Sequence, residues 1–397
     1  MSRRLVLLLA LACGVAVGNL YFPQAVSPLV ATGLGVSPES AALVVTAAQL
    51  GYAAGIFFLV PLGDRLPHRP LLVTLLVLTG LGLLAAGCAQ GLSPLFGASA
   101  LVGLTTVVAP IVAPLAAGLV PAEQRGAVTG AMLSGSIGGM LLSRALGGGL
   151  AEWLGWRAPY LLSAALALLL ALVLCLALPT TTPATRERYP ALLAHTLRLL
   201  RTEPALRRSC LYQATMFGAF TAVWTSVALL LTGPAYSLGA QAVGALALVN
   251  AATMAATPLA GRRTDRHGPD RVNLVCFLAA LAAAAILAMG TLGGIAGLAG
   301  LVLGTLVLDV AMQSGMVANQ VRIFALRPDA RSRLNTAYMT CAFLGGTLGS
   351  WAGATVYPGL GWGGVCALVA VLVGIGLVRH LVFASRTRRR AAVTVER

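Results

Sequence analysis

Charged side chains are scarce in this sequence, and lysine is absent altogether. Only 10% of the 397 residues are charged, 58% are hydrophobic, and the 27 basic residues are all arginine. The mean hydropathy is +0.89. A soluble domain carries about 25% charged residues. The scarcity of charge therefore excludes a water-soluble globular protein and indicates a membrane protein.

Paired cysteine motifs and the common catalytic signatures are also missing. The seven cysteines are isolated, with no C-x-x-C pair, so they indicate packing residues rather than a disulfide or metal framework. No G-x-x-x-x-G-K-[ST] phosphate loop, H-E-x-x-H motif or G-x-S-x-G motif occurs. These absences argue against ATP hydrolysis and against catalysis by the chain. We therefore expect no enzyme activity, no cofactor and no bound metal.

Long apolar runs are what the sequence has in abundance. Runs of about twenty residues are long enough to cross a hydrocarbon core of about 30 Å. They predict an all-α membrane protein with twelve transmembrane helices, at residues 5–32, 41–62, 70–89, 94–119, 126–150, 158–178, 208–232, 241–260, 271–290, 294–320, 333–356 and 361–383.

The arginines cluster in every second connection between these runs. With a cytoplasmic N-terminus, 25 of the 27 lie on the cytoplasmic side, and only Arg144 and Arg157 do not. This is the positive-inside bias that orients membrane helices. The net charge of +16 therefore reflects topology rather than a nucleic-acid partner, and both termini are predicted to be cytoplasmic.

The chain divides into two similar halves. Pro121–Ser143 aligns without a gap on Pro328–Ser350, at a constant offset of 207 residues. Two parallel six-helix repeats predict a duplicated bundle with a substrate site between its halves. The predicted units are a first bundle, a linker with an amphipathic cytoplasmic helix, a second bundle and a basic tail, at residues 1–179, 180–207, 208–385 and 386–397.

Two loop motifs resemble the major facilitator superfamily of secondary transporters, whose loop pattern is G-x-x-x-D-R-x-G-R-x. The first copy keeps Asp64, Arg65 and Arg69 but has Val60 and Pro67 in place of the two glycines. The second copy, after the eighth span, contains Asp265 and Arg266 in the better match, GRRTDRHGPDR.

This resemblance covers nearly the whole chain, and it implies the twelve-helix major facilitator fold with a cavity between the halves. Asp64, Arg65, Arg69, Asp265 and Arg266 would then form gating contacts at the cytoplasmic edge. The stretches GNLYFPQAVSPL, LLSRALGG and NQVRIFAL further resemble bacterial drug-efflux-like permeases. Together these resemblances imply a bacterial plasma-membrane protein, usually monomeric, in contact with lipid and with a small-molecule substrate.

Asp309 lies inside an apolar run, on a helix face shared with Thr305, Gln313, Met316 and Gln320. A carboxylate at the centre of a membrane costs about 2.5–3.5 kcal/mol on insertion scales, so such groups usually face a cavity or a partner. Three roles for Asp309 stay open on the sequence. It could be a proton-coupling site, a fixed partner of the buried charge Arg144, or a direct contact for the substrate.

Other polar and aromatic residues at membrane depth complete the predicted substrate cavity. Amides and aromatic rings on several spans indicate a mixed, mainly apolar site. These residues are Asn19, Gln24, Gln49, Tyr52, Gln213, Phe220, Trp224, Asn250 and Gln313.

The preferred prediction is a secondary transporter that exports a small organic molecule in exchange for protons. Uptake or facilitated diffusion of a metabolite, with Asp309 structural, is one alternative. A membrane sensor or receptor that binds without flux is another.

Overall fold

The computed structural model describes residues 2–179, 187–327 and 330–395. Within these residues all regular structure is helical and no β-strand occurs. The first half of the chain forms α1 (Arg3–Leu34), α2 (Pro38–Phe58), α3 (Leu62–Arg65), α4 (His68–Gly87), α5 (Leu92–Thr105), α6 (Val108–Gly118), α7 (Ala122–Leu154) and α8 (Arg157–Ala177).

The second half follows a short helix, α9 (Tyr189–Thr202), that belongs to the predicted linker. It forms α10 (Pro204–Thr232), α11 (Ala240–Val249), α12 (Thr253–His267), α13 (Pro269–Leu287), α14 (Gly294–Leu326) and α15 (Arg331–Val395). Short 3-10 segments at Asn250–Ala252 and Ala288–Leu292 follow α11 and α13.

Ten helical segments in the described part of the chain are long and apolar enough to cross a membrane. One of them, Arg331–Ser385, contains a break at Gly361, where φ is +61° and two helices meet. The shorter apolar helix Ala240–Ala252 continues into α12. The all-α membrane fold is confirmed, whereas the count of twelve spans stays a prediction.

Local sequence explains where the first two helices meet. The Oγ of Ser37 accepts a hydrogen bond from the amide of Ser40 at 3.3 Å and caps α2, as serine often does at a helix start. Before it, α1 ends at Gly35, whose φ of +65° suits a residue without a side chain. Pro23 and Pro28 lie inside α1, where each removes one backbone donor.

Glycines bring α1 against α7 and α10 against α15 with the same geometry. A Cβ at Gly139 would lie 2.0 Å from the carbonyl oxygen of Gly14, and a Cβ at Gly349 would lie 2.0 Å from that of Gly218. Small residues allow such backbone contact where lipid provides no hydrophobic drive. Gly349 follows by three residues the position that the offset of 207 aligns with Gly139, so the second contact lies about one helical turn further along its helix.

The two halves meet along α2 and the first part of α15. The hydroxyl groups of Thr46 and Ser350 lie 2.9 Å apart, and the rings of Tyr52 and Phe343 pack edge to face with centroids 4.5 Å apart. Helix α10 is the most deeply buried of the described membrane-spanning helices, since nearly all residues of its apolar part are buried. The site between the halves is therefore built around α10.

Helix α9 is amphipathic, as expected for this part of the linker. Leu192, Thr196 and Leu199 are buried, whereas Arg198 and Arg201 are exposed. Residues 180–186 of the predicted linker lie outside the described residues, as do the side chains of the predicted tail from residue 386 on. The domain boundaries stay predictions.

Candidate functional site

Asp309 lies on α14 at the centre of the bundle and is 2% exposed. Its Oδ1 accepts a hydrogen bond from Nε1–H of Trp224 on α10, at 3.1 Å. Among the described residues no arginine nitrogen lies within 4.0 Å of its carboxylate. Within the described part of the chain, a single neutral donor, the indole of Trp224, therefore holds Asp309 in place.

Arg144 lies on α7, fully buried, on the other side of Trp224. Its Nε donates to Oε1 of Gln24 on α1, at 2.8 Å. Its Cζ lies 4.2 Å from the centroid of the Trp224 ring and 4.9 Å from that of Tyr21, a cation–π arrangement. Arg144 and Asp309 are thus joined through Trp224, and the direct pair left open by the sequence does not form here.

Several amides around this centre have buried polar atoms without a hydrogen-bond partner. They are Nε2 of Gln24, both polar atoms of Gln49, and Oδ1 of Asn250; the Nδ2 of Asn250 donates to Thr305 at 3.1 Å. Buried polar groups in folded proteins are nearly always paired with protein or ordered water. Part of the unused hydrogen-bonding capacity of the chain therefore lies around this centre, where a polar ligand would find partners.

Asn19 lies apart from this centre. It lies beside Ser99 and Tyr160 within the first half, where the gap between these side chains is too narrow to hold a water molecule. The Nδ2 of Asn19, the Oγ of Ser99 and the hydroxyl of Tyr160 are all buried and unpaired. The side chain of Asn19 therefore faces the interior of the first half, apart from the other predicted cavity residues.

Gln213 and Phe220 on α10 differ in what they offer to a ligand. Oε1 of Gln213 accepts from the hydroxyl of Tyr338 at 2.9 Å, and Nε2 contacts the Sδ of Met312 at 3.6 Å. Gln213 therefore has both polar ends engaged within the second half. Phe220 is fully buried, and its ring centroid lies 5.8 Å from the Cζ of Arg144, so it belongs to the centre.

The polar face of α14 leads from the centre toward one end of the molecule. Asp309 and Gln313 are buried, whereas Met316 and Gln320 are half-buried. This end is the one at which α1, α4 and α7 begin, and we call it the arginine-rich end. Exposure along the face therefore rises from Asp309 toward the arginine-rich end.

The opposite end of the interface is tightly closed where α7 meets α11. A Cβ at Gly148 would lie 2.7 Å from the carbonyl oxygen of Ala240, and a Cβ at Gly244 would lie 2.5 Å from the Cα of Ala145. Toward the arginine-rich end, by contrast, residues 124–127 of α7 are exposed. The contact between α7 and α11 therefore joins the halves near the end far from the arginines.

Among the predicted gating residues, Asp64 contacts the other half. Its Oδ2 accepts a hydrogen bond from the hydroxyl of Ser332 at the start of α15, at 3.4 Å. Arg65 is exposed and Arg69 half-buried, and neither makes an ion pair with another described residue. In the second motif, Asp265 and Arg266 are exposed and likewise unpaired within the described ranges.

Arg333 ties the linker to the start of α15. Its Nη2 donates to Oε2 of Glu187 at 2.8 Å, and its Nη1 contacts Nδ1 of His195 on α9. Burial, together with the nearby guanidinium of Arg333, lowers the pKa of His195. The ring is therefore neutral at neutral pH and can accept from Arg333, and this contact is lost only as the pH falls through the lowered pKa.

Replacing Arg333 by glutamine is expected to speed tryptic cleavage at Arg188 severalfold. The linker would lose one ion pair and one hydrogen bond, each of which is worth about 1 kcal/mol or less near a surface. The measurement is the cleavage rate of the purified protein. Arg331→Gln is the control, since Arg331 is exposed and, among the described residues, donates to the carbonyl of Phe324 and to no acidic side chain. Equal rates for both variants would contradict the prediction.

A charge cluster at the arginine-rich end was not foreseen from the sequence. Oδ1 of Asp270 pairs with Nη2 of Arg322 and, at 3.2 Å, with Nη1 of Arg208; each arginine side chain is 7% exposed. Nη1 of Arg322 also lies 3.4 Å from the hydroxyl of Ser209. Asp270 comes five residues after Asp265, within the same loop motif. Of the two carboxylates, it is Asp270 that forms ion pairs with described residues.

Replacing Asp270 by asparagine is expected to lower the free energy of unfolding by about 1–3 kcal/mol. The change leaves two buried guanidinium groups without a counter-charge from any described residue, which is costly, although the partial exposure of Asp270 reduces the effect. Thermal unfolding in detergent measures it. Asp265→Asn is the matched control, because its carboxylate is exposed and unpaired with any described residue. A loss of stability as large for Asp265→Asn would overturn this prediction.

This fold and site define a membrane transporter of the secondary type. The family model of the Major Facilitator Superfamily matches residues 7–321, and the chain belongs to that family.

Two relatives and one solved structure agree with this assignment. The chain is 36% identical over 381 residues to the uncharacterized transporter YgaY of Escherichia coli O157:H7, covering 95% of each protein. It is 25% identical over 399 residues to the inner membrane transport protein YdhP of Escherichia coli K12, covering 98% of each. The crystal structure of the nucleoside transporter NupG superposes with a TM-score of 0.74 at 14% identity, covering 97% of this chain and 99% of that one.

Proposed function

We propose that the chain moves a small organic molecule across the bacterial plasma membrane by alternating access, and that Asp309 exchanges a proton during each cycle. The observation that carries the proposal is the position of Asp309. It is buried between the halves, accepts a hydrogen bond from the neutral indole of Trp224, and lies on the polar face of α14. In this assignment the arginine-rich end is cytoplasmic, as the positive-inside bias predicts.

Proton exchange follows from the change of surroundings that alternating access brings. An apolar environment favours the neutral form of a carboxyl group, and contact with water favours the charged form. Asp309 would therefore take up a proton from one side and release it when water reaches it from the other. The contact between Asp64 and Ser332 would open and close in the same cycle, with Arg65 beside it.

Efflux is the proposed direction of transport. The support for it is the resemblance of GNLYFPQAVSPL and LLSRALGG to the drug-efflux-like permeases. The glycines of the fifth span do not bear on direction, because Gly135 and Gly139 pack against α1 as glycines do in many membrane helix pairs.

Uptake of a metabolite is the second candidate, and one observation favours it. The hydrogen bond from Trp224 holds Asp309 in place and links it to Arg144, so the carboxylate could serve Arg144 as a fixed counter-charge. In that case Asp309 would be structural, and transport would not depend on its protonation.

The test is protection of a pump-deficient bacterial host against a panel of toxic small molecules. Cells with the chain are expected to survive at least one compound better than cells with empty vector, and a protonophore should remove the advantage. Everted vesicles should release protons when that compound is added. Protection that withstands the protonophore would remove proton coupling, whereas binding without any exchange flux would indicate a receptor and contradict transport.

A further inference from the structure

The free end of Arg144 is a hydrogen-bonding site that the chain itself does not use. The side chain is fully buried, and Nε donates to Gln24 at 2.8 Å. Both terminal nitrogens, Nη1 and Nη2, are buried without a hydrogen-bond partner. A buried cation without a hydrogen-bonded counter-charge is strongly unfavourable, so this arrangement calls for an acceptor from outside the chain.

No described carboxylate meets that need, and the shape of the site limits what can. Asp309 is held by Trp224 and has no arginine nitrogen within 4.0 Å. Aromatic rings of Trp224 and Tyr21 lie near the guanidinium, at 4.2 Å and 4.9 Å from Cζ. With Nε engaged, the four N–H groups on Nη1 and Nη2 are available, and two of them point in parallel from the end of the planar group. Two parallel donors match the two oxygens of a carboxylate.

We propose that the transported molecule carries a carboxylate, which binds Nη1 and Nη2 of Arg144. That the molecule is transported rests on the function proposed above, whereas its binding to Arg144 does not. A single guanidinium favours a group with a single negative charge. Among the described side chains, the other two buried arginines, Arg208 and Arg322, belong to the cluster around Asp270. The Nε2 of Gln24, which has no hydrogen-bond partner, is a further donor beside the guanidinium.

Binding of the carboxylate is linked to the charge on Asp309. With Asp309 ionised, Arg144 and Asp309 together carry no net charge. With Asp309 protonated, they carry one positive charge. A simple carboxylate therefore binds more tightly when Asp309 is protonated, and by linkage each promotes the other. A ligand that also presents an ammonium group to Asp309 displaces the proton instead. Tighter binding of a ligand to the protonated state suits uptake together with a proton. Displacement of the proton by a ligand suits export in exchange for a proton.

The experiment measures binding to the purified full-length protein in detergent. The probes are 3-phenylpropionate and its uncharged analogue 3-phenylpropionamide, and the readout is the dissociation constant at two pH values. Wild type is expected to bind the carboxylate at least about tenfold more tightly than the amide, as expected for hydrogen bonds to a charged group. Arg144→Gln should remove this preference. Arg125→Gln, an exposed arginine on the same helix, should keep it.

Each outcome decides the proposal. Equal affinity for both probes, no binding of the carboxylate, or an unchanged preference in Arg144→Gln would overturn it. If Arg144→Gln does not fold, Arg144→Lys decides, because lysine keeps the charge but loses the two parallel donors; undiminished preference in that variant would also overturn it. Flux into proteoliposomes separates the two proposals. Carboxylate binding without flux contradicts transport, whereas flux of the amide with no carboxylate preference contradicts only this inference.

Discussion

Replacing Gly139 by leucine is expected to prevent formation of a stable, monodisperse protein, whereas the same change at Gly138 is not. A Cβ at Gly139 would lie 2.0 Å from the carbonyl oxygen of Gly14 and 2.5 Å from its Cα. These are backbone atoms, so α1 and α7 would have to separate along their contact. Overpacking costs about 1–3 kcal/mol where side chains can adjust, and a backbone collision should exceed that range. At Gly138 a Cβ would meet nothing within 4 Å.

The measurement is yield from the membrane and the melting temperature in detergent for both leucine variants. Gly349→Leu tests the same contact in the second half, since a Cβ there would lie 2.0 Å from the carbonyl oxygen of Gly218. We expect Gly139→Leu and Gly349→Leu to fail alike. A Gly139→Leu protein with the melting temperature of wild type would mean that α1 and α7 do not touch at this position.

Replacing Asp309 by asparagine is expected to abolish proton-driven flux while leaving the fold intact. Asparagine is isosteric and its side-chain oxygen can still accept from Trp224, but it cannot bind and release a proton. Coupling free energies of 1–3 kcal/mol correspond to about 5–150-fold effects, so we expect net flux under a pH gradient to fall by at least tenfold. Exchange of substrate across vesicles without a gradient should continue.

The measurement compares the two kinds of flux in proteoliposomes. Glu39→Gln is the matched control, because it makes the same carboxylate-to-amide change in the first turn of α2, far from the centre. If Asp309→Asn keeps gradient-driven flux at the level of Glu39→Gln, the coupling role fails and the second candidate function gains support. Loss of both kinds of flux, with normal folding, would instead assign Asp309 to substrate binding.

The sequence predicts the helices and part of the centre because both depend on local patterns. An aspartate in an apolar run, with Gln313 one turn later, is visible without a structure. The bridging role of Trp224 is not, because it depends on how α7, α10 and α14 meet. Tyr21 gave no signal at all, since an aromatic residue in a membrane helix most often faces lipid or packs against another helix.

The loop motifs show where pattern and packing diverge. The second motif matches the family best at Asp265 and Arg266, yet both are exposed, and Asp270 forms the ion pairs. Its partners are Arg208 on α10 and Arg322 on α14. Each lies more than 45 residues from Asp270 along the sequence, one before it and one after it. Asn19 diverges for the same reason: which side of α1 faces the other half depends on tertiary packing, and periodicity alone does not determine it.

The tight crossing of α7 and α11 makes α7 a lever with an off-centre pivot. The pivot lies near Ala145, and the arm of α7 that runs back to Gln124 is about 30 Å long at about 1.5 Å per residue. No proline interrupts this 33-residue helix, and Gly135 and Gly139 pack it against α1, so α7 can tilt as one rod together with α1. A tilt of about 10° would move the far tip by about 5 Å, close to one helical pitch. A small angular change at a glycine contact is therefore amplified into an aperture of molecular size at the opposite end.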